Sequence, residues 1–218
     1  MIIDSTTLSL EDKVYTTLKE EILAGKLEKG SVLREIALSK RLDASRTPVR
    51  GALHRLAEEG LVDLQANRGA TVLGISESDI EDIYAIRIKL EGLAARLAAE
   101  RMTDEMRNDL INTVDLSEFY LSKNNDEKRG ELDSEFHSII FNASGSRHLC
   151  KILCDLHHNI KAYRRFSLSK SDRAAKALEE HREILDAILS KNGDEAERLT
   201  AIHVQRALEN FKEQMKHR

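Results

Sequence analysis

REIALSKRLDASRTPVRGALHR, residues 34–55, decides how the chain is read. It reads as a short helix holding Ile36, Ala37 and Leu42, a turn at Asp43-Ala44-Ser45, and a second helix over Thr47 to Glu59. Ser45 is placed to cap the second helix, and Pro48 is tolerated in its first turn. Arg34, Lys40, Arg41, Arg46, Arg50 and Arg55 stand against Glu35 and Asp43, an excess of four positive charges. Residues 1–74 as a whole hold 11 basic and 11 acidic side chains, so the positive charge is gathered on this helix pair. A helix-turn-helix can lay its second helix in the major groove. Arg46 and Arg50, four apart, share one face near the start of that helix, and Thr47 adds a hydroxyl for phosphate or base. Ala52, Leu53 and Leu56 supply the buried side. The alternative for each arginine is an ordinary solvated face.

Outward from this pair, Ser9 with Asp12 three residues on announces a first helix that ends at Gly25. Leu10, Val14, Leu18 and Ile22 give its apolar stripe. After Gly60, LVDLQANRGATVLGI reads as two apolar strands around Asn67-Arg68-Gly69, a hairpin signal. Its tip is placed like the wing of a winged helix. There Arg68 can reach the minor groove or the backbone, and Gly69 permits close approach.

The 218-residue chain is 41% hydrophobic and 33% charged with a net charge of -4, which excludes a general polycationic coat but not a local basic patch. One proline and 4% aromatics argue for helices. Cys150 and Cys154, one turn apart, make a poor disulfide framework and suit a reducing compartment. With no run of 18 apolar residues and no leader-like start, a cytoplasmic protein without membrane association is expected. Beyond residue 75 only helix signals remain, over about 77–101, 103–122, 126–142, 146–167, 172–190 and 193–215. The expected fold is mainly α: a winged helix-turn-helix domain over 1–74, then an antiparallel six-helix bundle over 75–218.

ELDSEFHSII, residues 131–140, places Asp133 and His137 four apart beside the apolar stripe of Leu132, Phe136, Ile139 and Ile140. In ALEEHREILDAI, His181 lies between Leu178 and Leu185 on the inner stripe, and in RLTAIHVQRAL, His203 lies between Leu199 and Ala207. A reversal at Asn192-Gly193 sets the two histidines at similar height on neighbouring antiparallel helices. Inward Asp133, His137, His181 and His203 form a transition-metal set, with satisfied core residues as the alternative. Cys150, Cys154 and His158 recur every four residues and are read as inward core residues. His54, His148, His157 and His217 receive no role.

LEKGSVLREIALSKRLDASRTPVRGALHRLAEEGLVDLQANRGATV resembles the N-terminal domain of the GntR family of bacterial transcription regulators, through SRTPVR, AL-RL-EEGLV and the RGA-V wing. Residues 78–205 resemble the ligand-binding FCD domain of the FadR-type branch, through IRIKLEGLAARLAA, the D-x-x-F-H motif, EHREILDAI and the G-D-x-x-A segment closing on a histidine. The resemblance implies that Arg34, Arg46 and Arg50 carry most DNA contacts, with Thr47 and the backbone near Gly69 assisting. It implies that Asp133, His137, His181 and His203 hold a divalent metal, and that Arg87 binds an effector. It further implies a homodimer on a palindromic operator. Six helices rather than seven place the chain near the VanR-like subgroup. Two positions depart from the pattern: Gly51 stands where the family has a glutamate, and Ser146 where it has an asparagine.

Imidazole-rich N/O sites suit zinc or nickel. Three neutral imidazoles and one carboxylate leave a divalent ion with a charge near +1, a seat for a small carboxylate metabolite. The resemblance implies a metabolite-responsive transcription regulator rather than an enzyme; a repressor is expected, although the direction of regulation is not in the sequence. A metal-dependent enzyme acting on small organic acids lacks a marked general base, since Glu135 points away from the Asp133–His137 face. A metal-free helical interaction module is the other alternative.

Overall fold

The computed structural model describes residues 9–65, 69–160 and 171–216. Two compact units divide the chain, Met1–Glu77 and Ser78–Arg218.

In the first unit, helix α1 (Leu10–Leu23) starts where Ser9 accepts a hydrogen bond from the Asp12 amide at 3.1 Å. Val14, Leu18 and Ile22 are buried, but Leu10 is not: at the first helical position its side chain overhangs the end of the core and stays 46% exposed. Helices α2 (Glu35–Arg41) and α3 (Arg46–Glu58) flank a turn in which Asp43 takes φ +47°. Ser45 occupies the cap position of α3 but makes no side-chain cap hydrogen bond, so its expected capping contact is absent, and the helix begins at Arg46 rather than Thr47. Val49, Ala52, Leu53 and Leu56 turn inward and pack with Leu18, Leu38, Leu61, Val62, Ala70 and Val72.

The hairpin β2 (Val62–Gln65) and β3 (Gly69–Val72) pairs antiparallel, Val62 opposite Val72 and Gln65 opposite Gly69. A third strand, β1 (Val32–Leu33), pairs with the other edge of β3, giving the order β1-β3-β2. Two residues are too few to show alternation in sequence, which is why this strand was not expected. Gly69 takes φ +95°, and a Cβ there would lie 2.1 Å from the Leu33 carbonyl oxygen. Its missing side chain is therefore required by the closure of the sheet, before any contact with DNA is considered.

In the second unit the helices are α4 (Glu77–Arg101), α5 (Asp104–Ser122), α6 (Asp126–Ala143), α7 (Arg147–Asn159), α8 (Ser171–Leu189) and α9 (Gly193–Lys216). Thr103, Asn125 and Ser146 each accept from an amide of the first turn they precede, so small polar residues set three of the starts. Ser146, where the family pattern has asparagine, thus serves as a cap. The expected helix over 146–167 is observed to Asn159; residues 161–170 lie outside the described residues. Alanines 94, 95 and 98 of α4 are fully buried and pack with Leu110, Phe136, Ile140, Leu153, Ile184 and Ile188. A Cβ at Gly92 would stand 3.0 Å from the Glu197 carbonyl, so α4 and α9 approach closely at a residue without a side chain. None of the described helices is long and apolar enough to cross a membrane.

Gly69→Ala is expected to lower the unfolding free energy by about 1–3 kcal/mol, through left-handed backbone strain and the collision with Leu33. Urea denaturation of the full chain followed by circular dichroism measures it; an unchanged midpoint would contradict this account of β1.

Candidate metal centre and nucleic-acid interface

Three helices of the second unit converge on one buried point. Ligand nitrogens of His137 (α6), His181 (α8) and His203 (α9) all lie within 4.8 Å of one another. His181 Nε2 is 3.4 Å from His203 Nε2 and 3.8 Å from Asp133 Oδ1. The Phe136 ring stacks on His181 with centroids 4.0 Å apart, which holds the imidazole plane. All four polar side chains are buried. The expected agreement in height of His181 and His203 is therefore what the helix reversal produces.

Two buried carboxylates, both missed by the sequence reading, orient these rings. Glu180 Oε2 meets His203 Nδ1 at 2.7 Å, which turns Nε2 toward His181. Arg173 clamps Glu180 bidentately at 2.9 and 3.0 Å, and Arg206 adds a third contact. Burial would raise the Glu180 carboxyl, but His203 and Arg173 outweigh it and bring it down to about 2. Glu91 of α4 has Oε2 2.9 Å from His137 Nδ1 and Oε1 2.7 Å from His157 Nε2. Arg87 Nε donates to Glu91 at 2.5 Å. Full burial would raise Glu91 as well, yet Arg87, His157 and His137 hold it well below the ordinary carboxylate value. A carboxylate behind a ligating imidazole fixes its tautomer and orientation. His137 and His203, each backed in this way, with His181 and Asp133 form a donor set that fits a divalent transition ion. A second group, Glu91, His137 and His157, also brings its ligand atoms within 4.8 Å. Its Glu91 is already engaged by Arg87.

Helix α7 departs from the expected inward stripe. Cys154 and His158 are exposed and Cys150 is half-buried, so that stripe is not core. The inward stripe is one residue earlier: Leu149, Leu153 and His157. Spacing by four fits both stripes, and only the leucines of the true one distinguish it. His157, which had been given no role, belongs to the buried cluster. His54 and His148 are exposed, and His217 lies outside the described residues. Glu91 left a signal in sequence, a charged pair Arg87/Glu91 at i,i+4 within an alanine-rich helix.

In the first unit, Arg34 caps α2 and Arg46, Thr47 and Arg50 lie in the first turns of α3, all four exposed. Arg50 forms a two-pronged ion pair with Glu35, Nε to Oε1 at 2.9 Å and Nη2 to Oε2 at 2.8 Å. Arg50 holds the Glu35 carboxyl below its ordinary value. A Cβ on Gly51 would meet the Glu11 carboxylate of α1 at 2.2 Å, so a glutamate at that place would face another acid. The orienting carboxylate here comes from Glu35 instead. Arg41 is paired with Glu21 at 2.7 Å and Arg55 with Asp12 at 2.8 Å, whereas Lys40 is exposed. Arg68 lies outside the described residues.

A winged helix-turn-helix followed in the chain by a helical domain with a buried histidine cluster defines a class of DNA-binding regulator. The chain matches the bacterial regulatory proteins of the gntR family over residues 10–72 and the FCD domain over residues 82–206, and it belongs to the GntR family as an FCD-type member. Similar proteins include the HTH-type transcriptional regulator YdhC of Bacillus subtilis, 28% identical over 91% of this chain and 89% of that one. The transcriptional repressor RspR of Escherichia coli is 27% identical over 95% and 91%. The gluconate operon repressor of Bacillus licheniformis is 25% identical over 84% and 76%. The E. coli McbR/YncC structure shares the fold, with a TM-score of 0.75 over 96% of this chain and all of that one at 23% identity. The protein is thus a DNA-binding transcription regulator rather than an enzyme.

Because Glu180 titrates near 2 in the folded protein against about 4.5 unfolded, it adds stability above about pH 4.5 that is lost as pH falls toward 2. Chelator-treated protein should lose stability on acidification through this window, and Glu180→Gln should flatten the slope. Thermal unfolding from pH 6 to 3 measures both; parallel curves would remove Glu180 from the account.

Proposed function

We propose a metabolite-responsive repressor that binds a palindromic operator as a homodimer and is controlled by a small carboxylate effector at a divalent metal centre. The observation that carries the reading is the convergence of His137, His181 and His203 beside Asp133, with buried carboxylates behind two of the rings. Asp133, His137, His181 and His203 would hold the ion, zinc or nickel by donor type. When bound, the ion supplies an electrophilic seat for a carboxylate oxygen.

Arg87 supports an anionic effector. It is 1% exposed, its Nε is taken by Glu91, and its Nη1 has no hydrogen-bond partner. A buried guanidinium nitrogen without an acceptor costs free energy that an incoming carboxylate recovers. The effector acts on DNA binding only if its affinity differs between DNA-competent and DNA-incompetent states. Repression as the direction follows the names of RspR and the gluconate operon repressor.

On DNA, Arg46 and Arg50 are assigned to base edges from the start of α3, with Arg34 and Thr47 beside them and Arg68 and Gly69 at the wing. The Glu35 contact pre-orients the Arg50 fork, limiting the rotamer freedom lost on binding.

Arg46→Ala and Arg50→Ala should each weaken binding to DNA from the gene's own upstream region by about tenfold or more, a loss of about 1–3 kcal/mol per bidentate base contact. Metal content should stay unchanged. His181→Ala should abolish stoichiometric metal in untagged protein measured by plasma mass spectrometry. Wild-type protein purified in that way with no metal, and unable to take any up, would return the centre to a satisfied polar core.

A further inference from the structure

A half-open cleft, with about 30 Å3 of space in its interior, borders the histidine cluster at His181. Asp133, His181 and Arg129 line it together with the apolar Leu121, Ala177 and Leu178. Arg129 is the unexpected member. It sits one helical turn before Asp133 on α6, is 7% exposed, and pairs through Nη2 with Asp126, a side chain 58% exposed. Its Nε is buried and has no hydrogen-bond partner. Guanidinium groups are rarely buried with a donor unmet, because each such donor forgoes its bond to water. The sequence reading gave this residue no role, and Asp126, Lys128 and Glu131 around it make ordinary surface ion pairs.

We infer that Arg129 is the second anchor of the effector, and that the effector is a short dicarboxylate with one carboxylate at the Asp133/His181 end and the other on Arg129. This inference rests on the carboxylate-effector reading above. Charge and spacing both favour two anionic ends. The Asp133/His181 end is cationic once a divalent ion is held, and Arg129 places a second cation four residues away along α6, about 6 Å of axial rise. A four-carbon diacid has its carboxylates at a comparable separation. The leucine and alanine walls suit the methylenes between them, while the two charges sit at the ends. Planar two-pronged recognition of a carboxylate is the strength of arginine, and Nε is one of the two donors that make such a fork. Arg129 is thus a specificity residue, which chooses diacids over monoacids of the same length.

Isothermal titration of metal-loaded full-length protein with succinate and with butyrate tests this. Succinate should bind wild type about 10- to 100-fold tighter than butyrate, the gain of one charge-assisted bond. Arg129→Gln should lower succinate affinity to the butyrate level, leaving butyrate affinity and metal content as in wild type. Arg129→Lys, which keeps the charge, should retain part of the preference, and it decides the matter if the glutamine variant does not fold. Equal affinity of the two acids for wild type overturns the Arg129 assignment while leaving the carboxylate reading intact. So does a succinate preference that survives Arg129→Gln, or a parallel loss of both acids with metal retained. If neither acid binds metal-loaded wild type, the carboxylate reading fails and the Arg129 inference falls with it.

Discussion

Glu91 is a carboxylate with no exposure at all, and the helical domain is arranged around making it tolerable. An ionised carboxylate left alone at that depth would be prohibitively unstable, so its partners are obligatory. Arg87 supplies the compensating charge from the same helix, and His137 and His157 supply ring nitrogens from α6 and α7. One side chain therefore ties three helices to a common point and fixes the orientation of a proposed metal ligand. The buried alanines of α4 belong to the same logic, since only small side chains let the helix that bears Glu91 lie close enough to its neighbours. Glu180 repeats the device on the far side, with Arg173 and Arg206 as its cations and His203 as the ring it turns.

The DNA-reading unit uses carboxylates differently. Its acids are near the surface and set the direction of arginines rather than balance buried charge. Glu35 holds the Arg50 fork, Asp12 holds Arg55, and Glu21 holds Arg41. The last two are tied to α1, while Arg50, held by Glu35 of α2, stays exposed with Arg34 and Arg46. At the glycine at 51, an oddity by family pattern, a side chain would meet the end of the flexible Glu11 side chain, which can shift. The family's orienting glutamate would face Glu11, and Glu35 takes over the task.

Much of this was legible from residue spacing. The apolar stripes of α1, α3 and α6, the breaks before α5, α6 and α7, and the hairpin all follow from local patterns that the finished fold does not override. So does the pairing of His181 with His203, because a tight reversal at Asn192-Gly193 converts equal distances along the chain into equal heights. The misreadings are equally local in origin. Leu10 has the right spacing but sits at a helix end, where the core has run out. Cys150, Cys154 and His158 have the same period as Leu149, Leu153 and His157, and a rotation of one residue separates outside from inside. A strand of two residues carries no period at all.

The sequence by itself determined which segments are helices, that a basic helix pair precedes a winged hairpin, and that one aspartate and three histidines face a common interior. These are consequences of neighbours three, four or seven residues away. Only the tertiary structure decided that Glu91, Glu180 and His157 stand behind that cluster, that Arg129 borders the cleft leading to it, and that Gly69 is demanded by a strand more than thirty residues earlier. Each of these depends on what another element brings to the same place. A buried charge is set by partners distant along the chain, and no local period records them.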